Sequence, residues 1–280
     1  WHGAGRLSSH LLVDPGIVGV SFALDLDYSG VLIEHLALVG DPAASLELLA
    51  LSEFLDLTVQ HCFLEGSTTA GLRARHGVNL VVRDTDVNVC GESFLYVGGP
   101  VLANDFVNGY TIENVRCATA AGQVPAHGGI RLQGAGYGAL YHPILQMDFG
   151  GLAIKLQGVF SCDLINGYVE QGDDWCVQAD TAPSSVVRVI GGHYHTTLPD
   201  KFDFATGALA HQALEVRGVT FVGCSAATHR FLPGSTVSYV FEGNHSDNEG
   251  LGEWVAGFDN SARSVRKGQQ PVFEIGRAHV

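Results

Sequence analysis

Ile33-Glu34-His35-Leu36-Ala37-Leu38 (I-E-H-L-A-L) is the stretch on which the fold turns, because its first half recurs along the chain. An apolar residue, any residue and a turn-tolerant residue follow one another at Ile33-Glu34-His35, Val59-Gln60-His61, Val82-Arg83-Asp84, Ile112-Glu113-Asn114 and Leu145-Gln146-Met147. The series continues at Ile165-Asn166-Gly167, Ile190-Gly191-Gly192, Val216-Arg217-Gly218 and Phe241-Glu242-Gly243. The third positions lie 20 to 33 residues apart with a mean of 26, and a fixed period of this size is the mark of a solenoid. The first position is always apolar and mostly β-branched, as an inward strand residue should be. Gly, Asn, Asp and His fill the third position, the residue types that best tolerate φ > 0, so a sharp bend is expected at each rung; Met147 departs from the column.

Between these triplets lie second strand candidates: Ser45–Leu51, Ser93–Val97, Gly129–Gln133, Gly151–Gln157 and Trp175–Gln178. They alternate apolar and polar residues between Gly, Pro, Asp and Asn. Two or three short strands per 26-residue period fit stacked parallel strands, and Asn-Gly hairpin signals are too few for an antiparallel sandwich. Only over Ala44–Phe54 does helical periodicity compete.

Composition narrows the function classes. The 280 residues hold 36 Gly and 46% apolar residues, which favours a packed β protein over a disordered chain or a helical bundle. The net charge of −14 and the lack of a basic cluster argue against nucleic acid and against an anionic membrane surface. No apolar run is long enough for a membrane helix, so no membrane insertion is expected. Six cysteines without a C-x-x-C spacing read as buried free thiols rather than a metal cluster or disulfides. The chain starts at Trp1, which leaves a signal peptide unobservable. Glu274–Val280 (E-I-G-R-A-H-V) resembles the translation of a sequencing-library adapter, so a gene fragment cut at both ends is expected.

With Gly3-Ala4-Gly5-Arg6, Ser8-Ser9-His10-Leu11-Leu12 and the Gly30–Gly40 run, the rungs resemble the right-handed parallel β-helix of the pectate-lyase-like superfamily, which includes phage tailspikes and polygalacturonase-type enzymes. The resemblance covers about Gly3 to Asn244 and is specific for fold rather than for one activity. It implies an all-β, single-stranded parallel β-helix of about nine rungs over residues 1–243. Residues 244–273 lose the rung pattern and form a cap or the start of a further segment, and 274–280 are the adapter-like tail. An extracellular or virion-tail setting, a polysaccharide partner and a homotrimer are implied in the same way.

In such a coil, residues at equal offsets from the bend line up on one face. One and three positions past the bend, early rungs are apolar: Leu36 and Leu38, Cys62 and Leu64, Val115 and Cys117. The sixth and seventh rungs instead carry Tyr168 and Glu170, then His193 and His195. Either a one-residue slip turns these side chains outward or they form a site. If the register holds, Glu170 and His195 are neighbours able to share a proton.

Gly172-Asp173-Asp174-Trp175-Cys176 resembles the Gly-Asp-Asp-Cys element of polygalacturonases, although that family's Asn-Thr-Asp element has no counterpart at Gly150-Gly151-Leu152-Ala153. Glycoside hydrolysis needs two carboxyl groups, one protonated and one ionised. The catalytic candidates are therefore Asp173, Asp174 and Glu170 with His195 as proton partner. Trp175, Tyr168, His193 and Arg217 are the sugar-contact candidates. The leading expectation is a polysaccharide depolymerase; a non-catalytic glycan-binding spike and a polysaccharide lyase are the alternatives. No cofactor is required, but the oxygen pairs Asp25/Asp27 and Asp84/Asp86 leave room for Ca²⁺. His35 and His61 are assigned to the bend column alone.

Overall fold

Each triplet ends one strand and bends the chain into the next. In the computed structural model, which describes residues 11–14, 16–23, 29–100, 105–121, 123–148, 150–172, 176–179, 186–196, 202–203, 213–222, 238–246 and 264–267, the chain winds as a parallel β-solenoid with three sheets. The first sheet collects strands such as Ser29–Glu34, Phe54–Gln60 and Gly77–Arg83. The second collects Ala37–Gly40, Phe63–Ser67 and Asp86–Cys90, and the third Leu49–Ser52, Ala70–Ala74 and Ser93–Gly98. Neighbouring strands within each sheet come from successive turns and run parallel, so the whole coil is stacked in register.

Nine bends are present, but only seven turns, from Ser29 to Asp203, have a described strand in all three sheets. The eighth and ninth triplets lie on Ala213–Arg217 and Ser238–Glu242, beyond which no third-sheet strand falls among the described residues. Ser264–Lys267 pairs antiparallel with Ser238–Glu242 and ends the parallel stacking of the first sheet. The strand candidates between triplets all land in the third sheet, as Leu49–Ser52, Ser93–Gly98, Ile130–Gln133, Ile154–Gln157 and Val177–Ala179. Ala44–Phe54 contains no helix: an Asp41–Ser45 turn, with Ser45 N–H donating to the Asp41 carbonyl at 2.8 Å, leads into the Leu49–Ser52 strand.

Each bend carries a residue in the left-handed region, followed at the seventh by a second positive-φ residue, Gly192 (φ 99°). His35, His61, Asp84, Asn114, His142, Asn166, Gly191, Gly218 and Gly243 have φ between 47° and 64°. This corrects the sequence reading at three rungs. In the fifth the bend is His142, preceded by Leu140-Tyr141, and Met147 is a fully buried core residue. In the sixth and seventh it falls one residue earlier than expected, at Asn166 and Gly191. The pairs Asn166-Gly167 and Gly191-Gly192 each offer two turn-tolerant residues, and burial decides between them. Leu164 and Val189 are wholly buried at the inward position, whereas Ile190 is 39% exposed.

Backbone pairing does not stop at the corners. The His61 N–H donates to Arg83 O (3.3 Å), Asp84 to Glu113 O (3.0 Å), Asn114 to Tyr141 O (2.9 Å) and Asn166 to Ile190 O (2.9 Å). Inside, the three sheets enclose one apolar column. In the second sheet Leu38, Leu64, Val87, Cys117, Leu145, Val169, Tyr194 and Phe221 stack turn on turn with at most 1% exposure. Each such side chain contributes about 1.5–3 kcal/mol relative to exposure.

Among the described residues Tyr194 is the largest wholly buried side chain, and two glycines make room for it. A Cβ on Gly167 would lie 2.6 Å from its Oη, and one on Gly192 2.4 Å from the Gly167 carbonyl. Gly167→Ala is expected to cost about 1–3 kcal/mol through overpacking, read from the denaturation midpoint of the full chain.

The five described cysteines, Cys62, Cys90, Cys117, Cys162 and Cys176, are buried thiols in no disulfide; Cys224 lies outside the described residues. Burial pushes the Cys90 and Cys162 thiols up to about 12. An unfolded chain releases these protons from about pH 9 upward while the folded one holds them, so the folded state loses stability as pH rises from about 9 toward 12. The melting temperature should therefore fall between pH 8 and 10.5, and the five thiols should react with a thiol reagent at neutral pH only after unfolding.

Candidate functional site

The candidate site is built from side chains that point outward from the bend and from the second sheet. One outward row of that sheet runs in register through Phe63, Asp86, Arg116, Ile144, Tyr168, His193 and Thr220. It lies two residues past the true bend, so it flanks the bend side chains along the edge. These form a ladder of their own. The His35 and His61 rings stack at 5.2 Å and 17°. Asn114 Nδ2 donates to Asp84 Oδ1 at 3.2 Å, and Asn166 Nδ2 sits 3.4 Å from His142 Nε2.

Bend and row together enclose a cavity of about 670 Å³ lined by His35, His61, Asp84, Asp86, Asn114, Arg116 and Ile144. Two carboxylates, two imidazoles, an amide and a guanidinium thus meet in one open groove. Thr85 between the two acids points inward: it is fully buried, its hydroxyl donating to Arg83 O at 2.9 Å. Arg116 is paired in register with Asp86 on the next turn, placing opposite charges on adjacent strands. Among the described residues no group of three or more His, Cys, Asp or Glu is arranged to hold a metal ion. Asp25 and Asp27 lie outside the described residues.

Tyr168, Glu170, His193 and His195 take the outward alternative, the one-residue slip. Val169 and Tyr194 between them face the core with no exposure, while Tyr168 is 37% exposed. The Tyr168 and His193 rings stack at 5.5 Å and 20° on successive turns. Partial burial first, then the charge of Glu170 and a hydrogen bond to it, raise the Tyr168 phenol above its ordinary value. The pairing shifts between Val169 and Gly172, so Glu170 and Gln171 together oppose His195 across this bulge.

Asp173, Asp174 and Trp175, which directly follow the strand Tyr168–Gly172, lie outside the described residues. Arg217 is on a different face: on the outside of the first sheet it pairs with Glu215 at 3.3 Å and Glu242 at 3.2 Å. That face also carries smaller hollows of about 530 and 380 Å³, but its polar groups are largely bonded to one another. Gln60 donates to Glu34 (2.7 Å), Arg83 to Gln60 (2.7 Å) and Arg188 to Asp163 (2.8 Å).

Sequence reasoning missed the groove formed by His35, His61, Asp84, Asp86, Asn114 and Arg116. It weighed Asp84 as a bend residue and, with Asp86, as a cation ligand, and the histidines only as bend residues. The signal was present at two positions past each bend, a column that reads Phe63, Asp86, Arg116, Ile144, Tyr168, His193 once the sixth and seventh bends are placed correctly.

No protein-family model, curated protein or solved structure matches the chain. The site's own geometry therefore carries the functional reading. Its orientation has a direct check: Tyr168→Ala and His193→Ala should each change stability by no more than about 0.5 kcal/mol. Phe221→Ala, in the inward column of the same sheet, should cost about 3–5 kcal/mol, all read by chemical denaturation.

Proposed function

We propose that this protein is a pectate-lyase-like parallel β-helix that binds an extended polysaccharide along the outer face of its second sheet and cleaves glycosidic bonds there. The carrying observation is the in-register outward row from Phe63 to His193 beside the groove of His61, Asp84, Asp86 and Arg116. Successive turns are ~4.8 Å apart, so the row offers a linear polymer a regular series of contacts. The stacked Tyr168 and His193 rings present flat faces to sugar rings, while carboxylates, amides and the guanidinium hydrogen-bond hydroxyls.

Cleavage by water requires one carboxylic acid to protonate the leaving glycosidic oxygen. A second carboxylate activates the water or attacks the sugar carbon. Asp84 and Asp86 share the groove, with Arg116 in register beside Asp86. Glu170 beside Tyr168 lies three turns away along the same sheet, and with Asp173 and Asp174, which follow it in sequence, makes a second set of acidic candidates. The setting proposed for this chemistry is extracellular or virion-borne, with the chain acting on surface polysaccharide as part of a trimer.

The test incubates the full chain with neutral and acidic polysaccharides and follows reducing ends together with the ultraviolet absorbance of unsaturated lyase products. Asp84→Asn with Asp86→Asn should lower sugar release by about 10²–10⁴-fold with binding retained. Release that persists in this double variant but disappears in Asp173→Asn with Asp174→Asn moves the chemistry to the second acidic group. Binding without release from any glycan leaves a glycan-binding spike, and absence of both overturns the proposal.

A further inference from the structure

The outer face of the third sheet carries a basic stack in an otherwise acidic protein. Arg73, Tyr96, Arg131 and Lys155 occupy one outward row on four successive turns. We propose that Arg131 and Lys155 form a binding site for the carboxylate or sulfate groups of an acidic glycan. From the functional proposal above this takes only that the ligand is a glycan; the face and the residues are separate.

The four residues are not equivalent. Arg73 is 5% exposed and neutralised within the protein. It lies 3.5 Å from Asp105 and 4.0 Å from Glu47, and donates to the Gly98 carbonyl. Its neighbour Arg75 pairs with Glu47 at 2.5 Å. Both carboxylates are thus engaged by these two arginines. The Tyr96 ring is held between guanidinium groups, with Arg73 3.4 Å and Arg131 4.4 Å from its centroid.

Arg131 is positioned by neutral acceptors instead. Its Nε donates to Gln157 Oε1 at 3.1 Å and its Nη2 to Gln133 Oε1 at 2.9 Å. Those bonds and the Tyr96 stack fix the plane of the guanidinium and leave its charge uncompensated: among the described residues no carboxylate is within ion-pair distance of Arg131 or Lys155. Lys155 is nevertheless the direct register partner of Arg131, one turn along. Like charges placed opposite each other on adjacent strands repel. The row runs on through Gln178 to Asp203, so its acid stands two turns beyond Lys155 rather than next to either cation. A bridging anion relieves the repulsion, and a pre-oriented guanidinium fork beside an ammonium matches a carboxylate or sulfate.

Labelled hexasaccharides of galacturonate, sulfated dextran and unmodified dextran, titrated into the full chain at 50 and 200 mM salt, test the site by fluorescence anisotropy. The expected result is that one or both acidic probes bind more tightly than the neutral one, more weakly at the higher salt, and at least tenfold more weakly to Lys155→Glu. Which acidic probe wins identifies carboxylate or sulfate as the ligand group. Arg131→Gln should do the same, and Lys155→Glu keeps the test valid if loss of the Tyr96 stack unfolds that variant. Equal binding of neutral and acidic probes, or Lys155→Glu binding like the parent, overturns the proposal. Sugar release is followed in parallel: binding sensitive to Lys155→Glu with no release from any glycan sinks the cleavage reading alone.

Discussion

Continuity of the backbone hydrogen-bond ladder through the corners is the constraint from which the rest of this structure follows. A parallel sheet edge needs a partner for every amide, and here the next turn supplies one even at the bend residues, from His61 to Arg83 and from Asn166 to Ile190. That requirement fixes a left-handed residue at each corner, and Gly192 adds a second at the seventh. It also forces equivalent side chains of successive turns onto each other, which is why cores, bends and outward rows all read as columns.

Columns explain what could be read from sequence. The apolar position of each triplet and the strands between triplets were legible, because inward aliphatics and turn-tolerant residues are chemically distinct classes. At rungs six and seven that distinction failed: Asn166-Gly167 and Gly191-Gly192 each present two residues suited to φ > 0, and Ile165 and Ile190 look as inward as Leu164 and Val189. A one-residue ambiguity inverts every side chain downstream, so Tyr168 and His193 fell on nominal core offsets. The exchange of Met147 for His142 has another origin, since Leu145-Gln146 imitates the triplet while Leu140-Tyr141-His142 satisfies it. The groove itself was hidden because its residues come from separate turns and only stacking brings them together.

Two faces of the coil thus differ in how they use charge. On the first sheet, acids, amides and bases neutralise one another from turn to turn, which tightens the stack and leaves little for a ligand. On the second sheet and its bend, rings and carboxylates stand beside open volume. The division comes from substituting side chains on one repeated backbone and needs no change in its path.

The bend column has a polarity of its own. Its first six positions carry His, His, Asp, Asn, His and Asn, and its last three are glycine. One end of this edge is decorated and the other bare, although the corner geometry is the same throughout. A polymer with distinct ends, laid along such an edge, would meet the two directions as unequal alternatives, and the edge alone would set which way round it lay.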